Sequence, residues 1–249
     1  MPKFAANLSM LFKEYPFIER FAAAKETGFD AVEVLFPYDE PGHEIARELQ
    51  VNRQSLVLIN TPPPNWTGGD RGFAAIPGRE DRFRHDFKRA CRYAQALKST
   101  FIHVMAGPAN GPEAHACFVE NLKWAADHAP KQQLTIEPIN TDDMPGYFLD
   151  DFDLGLRILD EVGAPNLGLQ FDAYHAHKIT GDMRAVWDAC RDRTVHIQVS
   201  DPEGRHEPSD RIIDYPAFFA QLDAEGYAGH VSGEYHPRHQ TADGLDWMR

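Results

Sequence analysis

Apolar residues recur in eight short runs along the chain, each about the length of a buried strand: FAANLSM (4–10), AVEVLF (31–36), SLVLIN (55–60), FIHVMAG (101–107), LTIEPIN (134–140), LGLQFDAYH (167–175), TVHIQVSD (194–201) and HVSGEYHP (230–237). Between them the spacing of apolar positions changes to that of a helix. In PFIERFAAAKETG, Phe17, Phe21 and Ala24 share a face and Gly28 is a stop. In DRFRHDFKRACRYAQALK the face is Phe83, Phe87, Cys91 and Ala94. FVENLKWAADHA, DFDLGLRILDEVG, DMRAVWDACRD and YPAFFAQLDAEG follow the same pattern, and Gly163 and Gly226 close two of them.

Alternating strands and crossover-length helices predict a parallel α/β fold. Eight units in 249 residues predict a single-domain (β/α)₈ barrel, the TIM barrel, spanning residues 1–249. A doubly wound open sheet is the main rival, but no glycine-rich phosphate turn follows the first strand. The closing segment DGLDWMR is short for a helix. Two long connections, 61–79 and 201–214, fall where a barrel builds its site, at the C-terminal ends of the strands.

Alternate side chains of a strand face opposite ways, and the outer face of a barrel strand packs on helices. The outward set is Leu134 and Ile136 in the fifth strand, Leu167, Leu169 and Phe171 in the sixth, and Val195, Ile197 and Val199 in the seventh. Glu137, Asp172 and Gln198 have the opposite phase, and Glu234 alternates with Gly233 and Tyr235 in the eighth. Four consecutive strands thus aim an oxygen donor inward near their ends. Any one of them alone is equally a satisfied core group. Three carboxylates in one barrel mouth would repel, and a divalent cation resolves the repulsion by using the oxygens as ligands. An all-oxygen set favours Mg²⁺ or Mn²⁺ over thiol-type zinc. Among 12 histidines, His175 lies three residues beyond Asp172 and is placed to reach a substrate; His103 and His196 sit on strands as core candidates.

A formal net charge of −13 argues against nucleic acid and anionic membrane as partners. No stretch approaches the ~18 apolar residues of a spanning helix. MPKFAANLSM lacks the apolar core of a signal peptide, and three cysteines at no metal-ligand spacing suit a reducing compartment, so a cytoplasmic protein is expected.

The segments ANLSMLF, GFDAVEVLFPYD, GDRGFAAIPGRE, VMAG, IEPINTDDMPGYFL, DAYHAH, GRHEP and GEYHP, in this order over nearly the whole chain, resemble the hydroxypyruvate isomerase family of the xylose-isomerase-like TIM-barrel group. The resemblance implies one divalent metal held by Glu137, Asp172, Gln198 and Glu234, with Glu137 and Glu234 as the acid/base pair. It implies a small hydroxy-oxo acid as substrate: hydroxypyruvate converted to tartronate semialdehyde, or a 2-oxo-tetronate. Such a substrate needs a cation for its carboxylate, and Arg71, Arg79 and Arg205 are the loop candidates. Of these, Arg71 and Arg205, with His175 and His206, form the expected substrate-binding set. The alternative is a sugar C3-epimerase using the same metal and glutamates; the wider epimerase branch has His where Gln198 stands. An endonuclease for abasic DNA and a barrel that only binds a sugar acid are more distant readings. A homo-oligomer is compatible with all of them. The chain departs from the family pattern in SDRIIDY within the 208–215 loop, at Pro63 and Pro64, and at Asp142, all expected at the mouth and bearing on substrate choice.

Overall fold

The computed structural model describes residues 1–63, 71–209 and 211–248. Its eight strands are β1 (Lys3–Asn7), β2 (Ala31–Glu33), β3 (Ser55–Asn60), β4 (Phe101–His103), β5 (Gln133–Ile136), β6 (Leu167–Asp172), β7 (Thr194–Val199) and β8 (His230–Gly233). Each pairs in parallel with its neighbour in sequence, and β8 closes on β1 through Lys3–His230 and Ala6–Gly233. This is the expected single-domain (β/α)₈ barrel. The register slips once between β2 and β3 and once between β6 and β7.

The outer layer is α1 (Arg20–Glu26), α2 (Gly42–Val51), α3 (Glu80–Leu97), α4 (Gly111–His128), α5 (Phe152–Val162), α6 (Ala173–Thr180), α7 (Met183–Cys190) and α8 (Tyr215–Ala224). Asp151, Asp182 and Asp214 start α5, α7 and α8 by accepting the backbone N–H three residues on, at 2.7–3.0 Å. Each such cap contributes about 1 kcal/mol. The outward strand residues pack as the phase argument requires: Phe171 meets Phe152 of α5, Trp187 of α7 and Phe218 of α8.

Two parts of the helical reading change. The run 167–175 divides at Asp172: its carboxylate accepts the Tyr174 N–H at 2.9 Å, so the strand ends there and α6 begins. Two helices therefore lie between β6 and β7. No α-helix follows β8 among the described residues; two 3₁₀ turns, Thr241–Gly244 and Asp246–Met248, take its place. Trp247 covers the outside of the closure, packing edge-on against Phe4 at 5.0 Å and donating to the Tyr235 hydroxyl at 3.2 Å. No helix among the described residues is long and apolar enough to cross a membrane.

Inside, the barrel is layered. Ala5, Ala31 and Val57 form an apolar layer with Phe101 packed against it. One step further along β1 and β2, on the same phase, come Asn7 and Glu33, both fully buried.

Candidate active site

A cavity of about 880 Å³ opens where the strands end. Glu137 directly follows β5 and Glu234 directly follows β8, and both face this cavity together with His175, Arg205 and Arg71. Asp172, the last residue of β6, and Gln198, the next to last of β7, are fully buried and off the cavity lining. Of the four inward oxygen donors of the phase argument, Glu137 and Glu234 thus face the cavity, while Asp172 and Gln198 lie buried. His206 is not part of the wall: its Nδ1 lies 2.7 Å from the His236 carbonyl, its ring packs against Gly204, and His236 faces the cavity instead.

The electrostatics centre on Arg205. Its guanidinium donates to Glu234 Oε2 at 2.8 Å, Asp172 Oδ2 at 3.4 Å and Asp143 Oδ2 at 3.5 Å, and stacks over Tyr174 at 4.8 Å. One cation cannot offset every carboxylate around it. Burial pushes Glu234 up to about 8 and Asp172 up to about 6, although Arg205 opposes both shifts. Glu137 is raised well above the carboxylate range by burial and by Glu234 and Asp172. Its Oε1 is buried with no hydrogen-bond partner among the described residues, and its Oε2 lies 3.5 Å from His103 Nδ1. Burial takes His103 down to about 3, so that ring is neutral and supplies no counter-charge.

Behind these groups lies a fully buried polar network. Glu33 accepts from Gln198 Nε2 at 2.9 Å and Asn7 Nδ2 at 3.2 Å, and pairs with His196 Nε2. Asn7 Nδ2 also donates to Glu234 Oε1 at 3.2 Å, while its Oδ1 accepts the Ser9 N–H at 3.0 Å. Gln198 Oε1 accepts from Gln170 Nε2 at 2.7 Å, and Gln170 accepts from Thr135 Oγ1. Asn7 and Glu33 are absent from the sequence-derived set. The sequence does carry a signal for Glu33, a carboxylate between Val32 and Val34 on the inward phase.

Two glycines place Arg71. The segment at Gly72 bridges antiparallel to Ala106, just after β4. At φ +101° a Cβ on Gly72 would stand 2.2 Å from the Met105 carbonyl oxygen, and at φ +87° one on Gly107 would stand 2.3 Å from the Gly72 oxygen. Only glycine fits both sides of this crossing, which accounts for GDRG and VMAG. Arg71 sits at the exposed rim. Arg79 is exposed at the start of α3 and off the cavity wall. Asp142 pairs with Lys178 at 2.7 Å, whereas its neighbour Asp143 faces the cavity. Pro64 and Asp210, like the first two residues of GDRGFAAIPGRE, lie outside the described residues.

The donor set suits a divalent cation. Ligand atoms of Glu137, Asp172 and His175 lie within 4.8 Å of one another. Three buried carboxylates with raised proton affinity and an unpartnered Glu137 Oε1 favour added positive charge. Gln198 Oε1 spends one lone pair on Gln170 and keeps a second.

A family model described as a xylose isomerase-like TIM barrel matches residues 21–249. A 2-oxo-tetronate isomerase of Cupriavidus necator is 46% identical, covering 100% of this chain and 98% of the relative. A hydroxypyruvate isomerase of Escherichia coli is 40% identical over 100% and 98%. A crystal structure from Brucella melitensis, named as an AP endonuclease of family 2, superposes with a TM-score of 0.96 at 42% identity, over 100% and 98%.

Proposed function

The chain belongs to the xylose isomerase-like TIM-barrel family, and we propose that it is an aldose–ketose type isomerase of a small hydroxy-oxo acid, hydroxypyruvate or a 2-oxo-tetronate. The observation that carries this is the pair Glu137 and Glu234, two buried carboxylates of raised proton affinity facing one cavity beside Arg205. Isomerisation moves a proton between adjacent carbons through an enediolate. One glutamate, ionised, takes the proton from the hydroxyl-bearing carbon, and the electron pair moves towards the carbonyl oxygen. The proton then returns to the carbon that was the carbonyl, and the hydroxyl proton passes to the neighbouring oxygen. A carboxylate whose affinity for protons is raised towards neutrality suits both taking and returning a proton.

Glu137, Asp172, Gln198 and Glu234 would hold a divalent cation, Mg²⁺ or Mn²⁺, which when bound supplies Lewis acidity to the carbonyl and hydroxyl oxygens. Arg205 and Arg71 are the cations available to a substrate carboxylate. Arg205 already lies beside Glu234, so a carboxylate there would set the reacting carbons next to that glutamate. Met10, Phe36 and Met144 on the cavity wall limit the approach of water.

The test is incubation in D₂O with Mg²⁺ or Mn²⁺ and a panel of hydroxypyruvate, 2-oxo-tetronates and ketoses, followed by NMR. Interconversion of a hydroxy-oxo acid with deuterium entering at the reacting carbon is expected. Inversion at C3 of a ketose without aldose–ketose conversion would transfer the site to an epimerase.

The name of the Brucella melitensis structure raises a second reading, cleavage of abasic DNA. A net charge of −13 and a cavity floor of carboxylates oppose a phosphate backbone. Nicking of an abasic duplex would favour it.

A further inference from the structure

Glu33 does not line the cavity, yet it is the hub of the buried network behind it. It stands opposite Asn7 in the β1–β2 register. Its Oε1 pairs with His196 Nε2, and its Oε2 accepts from Gln198 Nε2 at 2.9 Å and from Asn7 Nδ2 at 3.2 Å. Burial raises its pKa, but His196 and the hydrogen bonds outweigh burial and lower it. An ionised carboxylate can only accept, so all three neighbours turn a donor towards it.

Gln198 gains a direction from this. An amide has one accepting and one donating end of nearly the same shape. Glu33 offers only an acceptor, so Nε2 faces it. Oε1 then points the other way, where Gln170 Nε2 donates to it at 2.7 Å. Gln170 is set in turn by Thr135 Oγ1, which donates to its Oε1 at 3.0 Å. Gln198 stands directly opposite Asp172 in the β6–β7 register, so its amide is level with a site carboxylate. Reversed, the same amide would place N–H donors where a cation needs an oxygen lone pair. The preference for one direction comes from Glu33.

We propose that Glu33 is a positioning residue for cation binding: it fixes the Gln198 amide with its nitrogen towards β2 and an oxygen lone pair left for the cation. Asn7 extends the same anchor to β8, because its Nδ2 also donates to Glu234 Oε1 at 3.2 Å. The inference rests on the cation set of the proposed function, in which Gln198 is a ligand. Glu33 lies off the cavity wall and acts only through these neighbours.

Calorimetry with Mn²⁺ alone on the full chain separates direction from charge. Glu33→Gln keeps the side chain's shape and an oxygen for His196, but its nitrogen end meets Gln198, which relaxes by turning its amide. Mn²⁺ affinity is expected to fall ~10–100-fold, the range for residues that orient a ligand. A fall of less than about threefold overturns the proposal. The lost negative charge contributes to the fall, so the same change is also made in Gln198→Met, which has no amide to turn. There the loss is expected to shrink at least about fivefold, to the part due to charge. Losses that agree within about twofold, the scatter of independent sites, would mean that Glu33 acts by charge or by general stability, and overturn the proposal.

A second readout leaves Glu33 unaltered. Gln198 Nε2 and Asn7 Nδ2 donate to the same Glu33 oxygen, so their amide protons are neighbours. A nuclear Overhauser effect between the two side-chain amides is expected with and without Mg²⁺, assigned from the signals lost in Gln198→Met and Asn7→Ser. Gln198 amide protons that contact Gln170 instead would overturn the proposal. Cation binding with the amide reversed sinks this inference alone. The expected amide and affinities without solvent exchange on any substrate sink the isomerase reading alone. An unaltered chain that binds neither Mn²⁺ nor Mg²⁺ sinks the cation set, and this inference with it.

Discussion

Glu33 of β2 and His196 of β7 meet across the interior of the barrel, both with no solvent exposure. Burial alone would raise the Glu33 pKa, but His196, with hydrogen bonds from His196 and Gln198, lowers it, so Glu33 is an ionised carboxylate at the centre of the fold. Replacing it with Leu leaves His196 Nε2 and Gln198 Nε2 without their acceptor and removes one of the two acceptors of Asn7 Nδ2. Breaking a buried pair from one side costs ~3–5 kcal/mol, which for a chain of this size is roughly 6–20 °C in Tm. Urea denaturation of Glu33→Leu would measure it. A loss below about 1 kcal/mol would mean that the pair contributes little and that the network relaxes around its absence.

Glu137→Gln and Glu234→Gln keep shape and remove the proton acceptor. Each is expected to lower kcat by at least ~10²–10⁴-fold, with an unchanged far-UV circular dichroism spectrum. Steady-state kinetics on the substrate identified by solvent exchange would check this. Isomerisation within tenfold of wild type in either variant would refute the two-glutamate scheme.

Much of this site is legible in the sequence because it is written in strand phase. Leu134 and Ile136 must face helices, so Glu137 must face inward, and the same parity holds for Asp172 and Gln198. That parity carries on past the strand end in LGLQFDAYH, which is why residues 173–175 read as strand. What ends β6 is a local competition, the Asp172 carboxylate accepting the Tyr174 N–H, and periodicity does not register it. The α2 segment GHEIARELQV buries only Ile45 and Leu49, too few apolar positions to stand out. Asn140 and Asp143 lie in a loop, where side chains follow no period, and what they do depends on where His175 and Arg205 fold. His206 departs from its expected place for a related reason. Adjacency to Arg205 in sequence says nothing about direction at a left-handed residue, and Arg205 has φ +51°.

The crossing of Gly72 and Gly107 offers a test of how Arg71 is positioned. A Cβ on Gly107 meets the Gly72 carbonyl oxygen at 2.3 Å, on a backbone already at φ +87°. Gly107→Ala must therefore push the Arg71 segment away or change its own backbone, at a cost of ~1–3 kcal/mol. KM is expected to rise more than kcat falls, because Arg71 stands at the rim rather than beside the glutamates. Equal Tm and equal KM in the variant would show that the crossing has slack.

Metal and pH act on the same carboxylates, with signs that follow from the direction of each shift. Asp172 rises from 3.8 to about 6 and Glu234 from 4.5 to about 8, both chiefly through burial. A group whose pKa is raised by folding stabilises the fold fully below its unfolded pKa, and that contribution is lost as pH climbs through the folded value. Chelator-treated protein should therefore lose stability from about pH 4 upward, through about pH 6 for Asp172 and about pH 8 for Glu234. His103 has the opposite sign: its folded pKa of about 3 lies below the ordinary value of 6.5, so its contribution is lost as pH falls below 6.5. Glu33, depressed on folding, also weakens only in acid. Measurements from pH 6.5 upward thus report on Glu234 and Glu137, since Asp172 is already mostly ionised there. A divalent cation binds their ionised forms and releases protons on binding. The difference in Tm between Mg²⁺-saturated and chelator-treated protein is expected to widen from pH 6.5 to pH 8.5, measured by scanning calorimetry at constant ionic strength. A difference that stays flat or narrows would mean that the cation does not engage Glu234.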